Sequence, residues 1–372
     1  MSDIGVEVDI RSIREAMSDA GFSDLWIHLR TKNCSIDGLS QALNAANDPD
    51  GTFAQGGFQT PTGIVFVIND LGRPGDFENW MSRLVGNLEG VGVTGRLESA
   101  KPSYVGDWPT VDPTPAAFLA WQEDRDAVTA DEDRTSHWHI PDDATERIVD
   151  HAAAWTDAGG NHSVVYLGSF PLEVSAEADV ASMMRSSLIH NNRTGSIRYR
   201  SEQQTGRMAS LGPGGDATMQ EIGAQVPWQE RLKAAFSALR HIPTQDLDLA
   251  FIRPAPRWTQ SWIQIDMRQK LPDLREYDIR YNRHLLSRYT PDAHGIQVLT
   301  DQHLTRARDL SSWNIQELGN GRFLVEAEDL PTWYSTPVPD QEVIDQARHD
   351  FGDMILTKET IAANPPPWRP AA

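Results

Sequence analysis

The sequence predicts an α+β protein with more than one domain and antiparallel sheets. Stretches with the apolar spacing of helices alternate with short strand-like runs, and turn residues separate them. The chain has 372 residues, which is more than one ordinary hydrophobic core organises, so two or three domains are expected.

The first 100 residues contain the most regular series of elements. A helix over 9–20 is followed by strand, helix, strand, strand, helix and strand, and Ser35 and Asp76 are predicted to cap the two later helices. The strands of this series are predicted at 24–29, 53–59, 64–68 and 93–99. This order is typical of a ferredoxin-like (βαββαβ) domain, in which two helices cover one face of a four-stranded antiparallel sheet. Such a domain is therefore predicted over residues 1–100.

A segment rich in proline and acidic residues follows at 101–142. Residues 123–134 are mainly acidic, and 116–122 are predicted to form one short helical turn that presents Phe118 and Trp121. We interpret the segment as a linker or an extended arm.

Residues 143–360 are predicted to form a second, larger α+β region with an antiparallel sheet, and 361–372 a disordered tail. Its helices are predicted at 143–158, 176–190, 228–240, 274–287, 301–310 and after Asp340. Its strands are predicted at 163–167, 172–174, 195–200, 247–252, 262–267, 296–299, 314–318, 322–326 and 354–356. The last hairpin surrounds Gly319-Asn320-Gly321, a strong turn signal. The element order loosely resembles that of the first domain, so a diverged duplication is an alternative, although no residue-level repeat supports it.

Charge is unevenly distributed along the chain. Residues 1–160 carry 27 acidic and 11 basic side chains, a net charge of −16, whereas 185–310 carry 13 acidic and 18 basic ones, a net charge of +5. An acidic front half disfavours contact with nucleic acid or anionic membranes and favours a basic partner.

The location is predicted to be cytoplasmic. The only cysteine, Cys34, has no second cysteine to pair with, and the acidic N-terminus lacks the chemistry of a targeting signal. No run of residues reaches the length and apolarity of a membrane helix. We expect Cys34 to be a small buried or half-buried residue.

Several catalytic classes lose support because their motifs are missing. The sequence contains no Gly-x-Ser-x-Gly elbow, no His-Glu-x-x-His, no Walker loop and no Cys-x-x-Cys pair. The residues 90–95 match Gly-x-Gly-x-x-Gly, but they follow a predicted helix and precede a predicted strand, the reverse of a dinucleotide site. No cofactor is predicted.

Three histidines form the candidate metal site. His137 and His139 are two residues apart, and His151 follows twelve residues later. A catalytic zinc needs about three protein ligands and one open position. The alternative is a polar, partly exposed segment in which these histidines have no special role.

An arginine cluster is the candidate anion- or partner-binding site. Its members are Arg185, Arg193, Arg198, Arg200 and Arg207. On a strand over 195–200, Arg198 and Arg200 project from one face, and guanidinium groups suit phosphates and carboxylates. The alternative is that these arginines neutralise the acidic front half of the same chain.

Tryptophans in proline-rich segments suggest surfaces that are covered by another domain of the chain or by a partner. Trp108, Trp121 and Trp258 are the candidate partner-binding residues, because tryptophan is enriched at interface hot spots. The function that the sequence favours is a noncatalytic interaction factor with a protein partner, such as an inhibitor, an immunity protein or a chaperone-like factor. The alternatives are an enzyme with an unrecognised site, which uses the arginines or histidines, and an RNA-associated protein, which the acidity of the first domain disfavours.

Overall fold

The chain forms two compact units in the computed structural model. The structure describes residues 5–20, 25–48, 51–71, 75–100, 114–130, 138–157, 163–167, 170–174, 179–190, 197–201, 206–212, 215–222, 226–255, 279–336 and 338–366. The first unit comprises 1–104 and 167–194, and the second 105–166 and 195–372.

Both helices and strands are abundant, so the predicted α+β class is confirmed. The strands are β1 Val6–Val8, β2 Leu25–Arg30, β3 Thr52–Thr60, β4 Gly63–Leu71, β5 Gly95–Ser99, β6 Thr114–Trp121, β7 Ser163–Leu167, β8 Phe170–Val174, β9 Ile197–Ser201, β10 Gly206–Gly212, β11 Asp216–Ile222, β12 Leu247–Ala255, β13 Ile296–Thr300, β14 Trp313–Gly319 and β15 Arg322–Ala327. The helices are α1 Ile10–Ala20, α2 Ile36–Ala46, α3 Asp76–Gly90, α4 Arg125–Ala130, α5 Asp142–Asp157, α6 Val180–His190, α7 Trp228–Arg240, α8 Asp301–Leu304, α9 Leu330–Tyr334, α10 Gln341–Phe351 and α11 Lys358–Ala363, with 3₁₀ helices at Ile279–Leu285 and Gly352–Met354.

The first unit contains a five-stranded sheet in the order β1-β5-β2-β4-β3. Strands β5, β2, β4 and β3 pair antiparallel, whereas β1 pairs parallel to β5. Strand β1 was not predicted from the sequence, because three residues are too few to establish an alternating pattern. The sheet and the helices enclose one apolar cluster that includes Ile27, Phe66 and Trp80, none of which is exposed.

Helices α2 and α3 begin in different ways. The Ser35 hydroxyl accepts a hydrogen bond from the Gly38 amide at 3.1 Å, as predicted. Asp76 is not the cap that the sequence predicted, because it already lies in the first turn of α3. Gly75 takes the cap position with a positive φ of 91°, which glycine adopts without strain.

The second unit is built on an antiparallel sheet. Its strands lie in the order β14-β15-β13-β12-β6-β11-β10-β9-β7. This order differs from that of the first sheet, so the topology gives no support to a diverged duplication. Helices α5 and α7 pack side by side, and the Trp155 indole donates a hydrogen bond to the Ala234 carbonyl at 3.0 Å.

Strand β6 corrects the predicted helical turn at 116–122. It lies between β11 and β12 in the middle of the sheet, and residues 116–121 are at most 2% exposed. A strand that is covered on both faces has a continuous apolar run instead of an alternating one, and such a run resembles a buried helix segment. Part of the predicted linker thus forms the centre of the second unit.

Other local predictions have mixed outcomes. Helix α7 and the hairpin of β14 and β15 are confirmed, and the tight turn uses positive φ angles at Gly319, Asn320 and Gly321. The hairpin of β10 and β11 was missed, because its glycines and alanines weaken the alternating pattern. The predicted helix at 301–310 is shorter, since α8 ends at Leu304, and residues 279–285 of the predicted helix at 274–287 are 3₁₀.

Some predictions fall outside the described residues. They are the strand at 262–267 and the last six residues of the tail, 367–372. Disorder from residue 361 is wrong, because α11 continues to Ala363 and Ile361 is only 3% exposed. Among the helices that the structure describes, none has the length and apolarity needed to span a bilayer.

Candidate functional site

A polar cavity of about 280 Å³ lies at one end of the sheet of the second unit. Strand β6 ends there, β12 begins there, β13 ends there and β15 begins there, because neighbouring strands run antiparallel. Each strand brings one polar side chain to the cavity: Glu123 just beyond β6, Asp248 in β12, Thr300 in β13 and Arg322 in β15. The cavity is therefore assembled by strand register.

Glu123 and Asp248 give the cavity two carboxyl groups. The Glu123 side chain is 12% exposed, and Asp248 is 7% exposed. Burial raises the pKa of Glu123 to about 7; the Arg283 charge opposes this rise, and the charges of Asp216 and Asp248 add to it. Burial likewise raises the pKa of Asp248 to about 6, against the charges of three arginines.

Arg283 holds the inner wall of the cavity together. It comes from the 3₁₀ helix Ile279–Leu285, and its side chain is only 5% exposed. One terminal nitrogen donates to the carbonyl oxygens of Trp121 at 2.7 Å and Gly215 at 3.0 Å. The guanidinium also lies 3.6 Å from a Glu123 oxygen and 3.5 Å from an Asp216 oxygen. One buried cation thus fixes two backbone segments and two carboxyl groups.

Two further arginines line the cavity. Arg322 donates to the carbonyl oxygens of Leu247 and Asn320, so its role within the chain is to hold the start of β12 and the hairpin turn. Arg125 lies on the exposed first turn of α4, at the solvent side of the cavity. Arg125 is therefore better placed than Arg322 to meet a ligand from solvent.

Thr300 connects the cavity to a buried histidine. Its hydroxyl donates to the Ser287 carbonyl at 2.7 Å, and its amide donates to His303 Nδ1 at 3.1 Å in a reciprocal capping arrangement. Burial lowers the pKa of His303 to about 4, so this ring is neutral at pH 7. The histidine positions Thr300 through the backbone and carries no charge there.

The arrangement suits proton transfer near neutral pH. A carboxyl group whose pKa is close to the ambient pH can both donate and accept a proton, which is what general acid–base catalysis requires. Strongly shifted pKa values within a cleft are typical of functional sites, although ion-pair networks also produce them. Apart from Val128, the rest of the lining is polar and includes Gln122, Ser287 and Gln302.

The predicted histidine site is only partly described. His137 lies outside the described residues, and His139 is buried just before α5. His151 lies in α5 with its Nε2 atom 3.1 Å from the Ala238 carbonyl oxygen, and burial lowers its pKa to about 4. Within the described ranges, no group of three or more His, Cys, Asp and Glu side chains is arranged to hold a metal.

The described members of the predicted arginine cluster are divided between the two units. Arg193 lies outside the described residues, and only the backbone of Arg198 and Arg200 in β9 is described. Arg185 belongs to the first unit and Arg207 to the second. Arg207 lies 3.6 Å from a Glu221 oxygen and 5.0 Å from the centre of the Trp155 ring, and it donates to the Trp155 carbonyl at 2.9 Å. These contacts favour an intramolecular role for Arg207, with a partner in its own unit.

The predicted tryptophan surface is not found in the described part of the chain. Trp108 and Trp258 lie outside it. Trp121 is 1% exposed at the end of β6, so its expected exposure was wrong. Its ring is part of the core because β6 is a central strand.

The acidic residues of the cavity have a recognisable position in the sequence, beside apolar runs. Glu123 lies two residues after the apolar run 116–121, Asp248 directly before the apolar run 249–252, and Asp301 two residues after the largely apolar run 296–299. Acidic side chains that follow or precede buried strands are placed at the rim of a sheet. Only the strand order shows that these rims coincide.

Comparisons with known proteins give no further guide to this cavity. No protein-family model matches the chain, and a search of curated proteins finds no match either. The function is therefore inferred from the geometry of the cavity.

Proposed function

We propose that the second unit binds a small, neutral, polar molecule in the cavity and acts on it by general acid–base catalysis, with Glu123 and Asp248 as the proton-transferring pair. The observation that carries this proposal is the convergence of two nearly buried carboxyl groups on one cavity from adjacent strands. The sequence predicts an enzyme as the alternative function, with the arginine or histidine set as its site. Glu123 and Asp248 belong to neither set, so the site proposed for the enzyme is a different one.

The lining supports a neutral, hydroxyl-bearing ligand such as a sugar or polyol. The lining acids Glu123, Asp248 and Asp301 are matched in number by Arg125, Arg283 and Arg322, so the cavity has no strong excess of either charge. Its volume of about 280 Å³ suits a ligand of a few heavy atoms up to one sugar ring. The amide and hydroxyl side chains supply hydrogen bonds that fix its orientation.

A screen of small ligands tests the proposal. Sugars, polyols, short carboxylates and inorganic phosphate are added to the protein at pH 7, and the melting temperature is recorded. We expect a polyol or sugar to raise the melting temperature, because a ligand that binds only the folded state stabilises it by mass action. The Glu123→Gln and Asp248→Asn variants keep the shape of the cavity but cannot exchange this proton, so they should bind the ligand without turning it over.

A matched control separates this site from others on the unit. Asp126→Asn changes an exposed carboxyl on α4 and should leave ligand binding and turnover unchanged. Stabilisation by phosphate alone, or turnover that survives in both carboxyl variants, contradicts the proposal.

Three predictions from the sequence remain proposals. The interaction-factor function has no support from Trp121, the one of its three candidate tryptophans that the structure describes. The ferredoxin-like assignment of the first domain is supported by the order of β2, α2, β3, β4, α3 and β5 and by the antiparallel order β5-β2-β4-β3. The cytoplasmic location is supported by the single cysteine, Cys34, which is half-buried.

A further inference from the structure

A second cavity of the same unit has a different chemistry. It is an open groove of about 420 Å³ between the start of β14, helix α9 and helix α10. Trp313 and Trp333 form its walls, with ring centres 6.2 Å apart and planes tilted by 55°. Both tryptophans are largely buried, with 7–8% of each residue exposed, so only a small part of each can contact a ligand.

The charged residues of this groove are all acidic. Glu328, Asp329 and Glu342 are exposed at its rim, and no lysine or arginine lines it. Within the described part of the chain, the carboxylates of Glu328 and Glu342 have no hydrogen bond or ion pair. Two carboxylates beside two tryptophans attract a cation both by charge and through the aromatic faces.

The groove is held in shape by its own contacts. The Trp313 indole donates to one Asp350 oxygen at 3.1 Å, and the Gln346 amide donates to the other at 2.7 Å. Trp313 also packs edge-on against the buried Phe351, with ring centres 4.6 Å apart. The aromatic walls therefore need little reorganisation before a ligand enters, which lowers the entropic cost of binding.

We propose that this groove binds an arginine or lysine side chain of another protein. Strand β14 ends the strand order of the sheet, and Ile315, on the same face as Trp313, is 46% exposed. Within the described residues the outer edge of β14 has no strand partner, so an extended segment can lie along this edge and place a cationic side chain in the groove, against the tryptophans and beside the rim carboxylates. Charge complementarity selects a basic segment, as the acidity of the whole chain also does.

An NMR titration of the full-length protein tests the proposal. The probe is a Gly-Gly-Arg-Gly-Gly peptide with blocked ends, and the comparison peptide carries citrulline, which has nearly the shape of arginine without its charge. We expect saturable shifts of the Trp313 and Trp333 indole N–H resonances with the arginine peptide and binding weaker by about fivefold or more with the citrulline peptide.

A pair of double variants completes the test. Glu328→Gln/Glu342→Gln removes the two rim charges from exposed positions and should weaken binding of the arginine peptide about fivefold. Glu230→Gln/Glu359→Gln makes the same change in net charge at exposed positions that do not line the groove, and it should leave this binding unchanged. Equal binding of both peptides, shifts confined to other tryptophans, or unchanged affinity in the rim variant would each overturn the proposal. The test does not involve Glu123 or Asp248, so its result is independent of the proposed catalytic function.

Discussion

Replacing Arg283 by alanine is expected to lower the free energy of unfolding of the second unit by roughly 3–5 kcal/mol. The change removes the donors to the Trp121 and Gly215 carbonyl oxygens and leaves Glu123 and Asp216 without the cation between them. Each buried acceptor that loses its partner costs about 1–3 kcal/mol. Urea unfolding followed by tryptophan fluorescence and far-UV circular dichroism measures the loss.

Two companion variants show whether the geometry of the guanidinium is responsible. Arg283→Lys keeps the charge but cannot reproduce the forked donor geometry, so an intermediate loss is expected. Arg240→Ala, an exposed arginine at the end of α7, should change stability by no more than about 0.5 kcal/mol. A loss from Arg283→Ala as small as that from Arg240→Ala would mean that Arg283 does not organise the cavity.

Replacing Glu123 by glutamine is expected to stabilise the protein above neutral pH and to have little effect below pH 4.5. The folded-state pKa of Glu123 is raised from 4.5 to about 7, so the folded protein holds this proton more tightly than the unfolded chain does. The wild-type protein therefore loses stability as the pH rises from 4.5 through 7, and glutamine, which stays neutral, does not. With about 1.4 kcal/mol for each pKa unit, the difference above pH 8 approaches roughly 3 kcal/mol.

The pH profile of this difference isolates Glu123 from the other shifted groups. His151 and His303 have lowered pKa values, so their contribution to stability is lost as the pH falls from 6.5 towards 4, the opposite direction. Both histidines are present in the wild-type protein and in the Glu123→Gln variant, so their contributions cancel when the two free energies of unfolding are subtracted. Urea unfolding of both proteins at pH 4.5, 6 and 8 is the measurement, and a difference that stays constant with pH would contradict the shifted pKa.

The effects of Arg283→Ala and Glu123→Gln on the free energy of unfolding are coupled because the two side chains are in contact. At pH 8 the Glu123→Gln change should recover part of the stability that Arg283→Ala loses, since it removes one of the carboxylates left without a cation. Double-mutant cycles between contacting charged residues typically show interaction energies of about 0.5–3 kcal/mol. If the changes in the free energy of unfolding are strictly additive, Glu123 and Arg283 do not interact, which would contradict the contact between them.

The parts of the fold that the sequence predicts well are those with local signals. Ser35 marks the start of α2, the apolar stripe of 228–240 matches α7, and Gly319-Asn320-Gly321 defines the hairpin of β14 and β15. In each case a few neighbouring residues determine the geometry, so no knowledge of distant contacts is needed.

The parts that were missed depend on tertiary context. Strand β6 is buried at every position, and all of its residues after Thr114 are apolar, because β11 and β12 flank it and both of its faces are covered. No periodicity distinguishes such a segment from a helical turn. The proline-rich surroundings of 101–142 then favoured a linker, although the segment includes the central strand of the second sheet.

The candidate site was missed for a related reason. Glu123, Asp248, Thr300 and Arg322 are separated by up to about half of the chain, and they meet only through the register of four strands. The sequence showed many carboxyl groups and gave no means to choose among them. The members of the arginine and histidine sets are close in sequence, which is a poor guide to proximity in an antiparallel sheet.

Glu123 and Asp248 are proposed to form a carboxyl pair that exchanges protons near neutral pH. A carbon-13 NMR titration of the side-chain carboxyl groups, assigned with the Glu123→Gln and Asp248→Asn variants, tests it directly. The structure predicts that Glu123 titrates with a pKa of about 7 and Asp248 with a pKa of about 6 in the folded protein. Titration of both groups near their ordinary values of about 4 would contradict the claim and, with it, the proposed catalytic role.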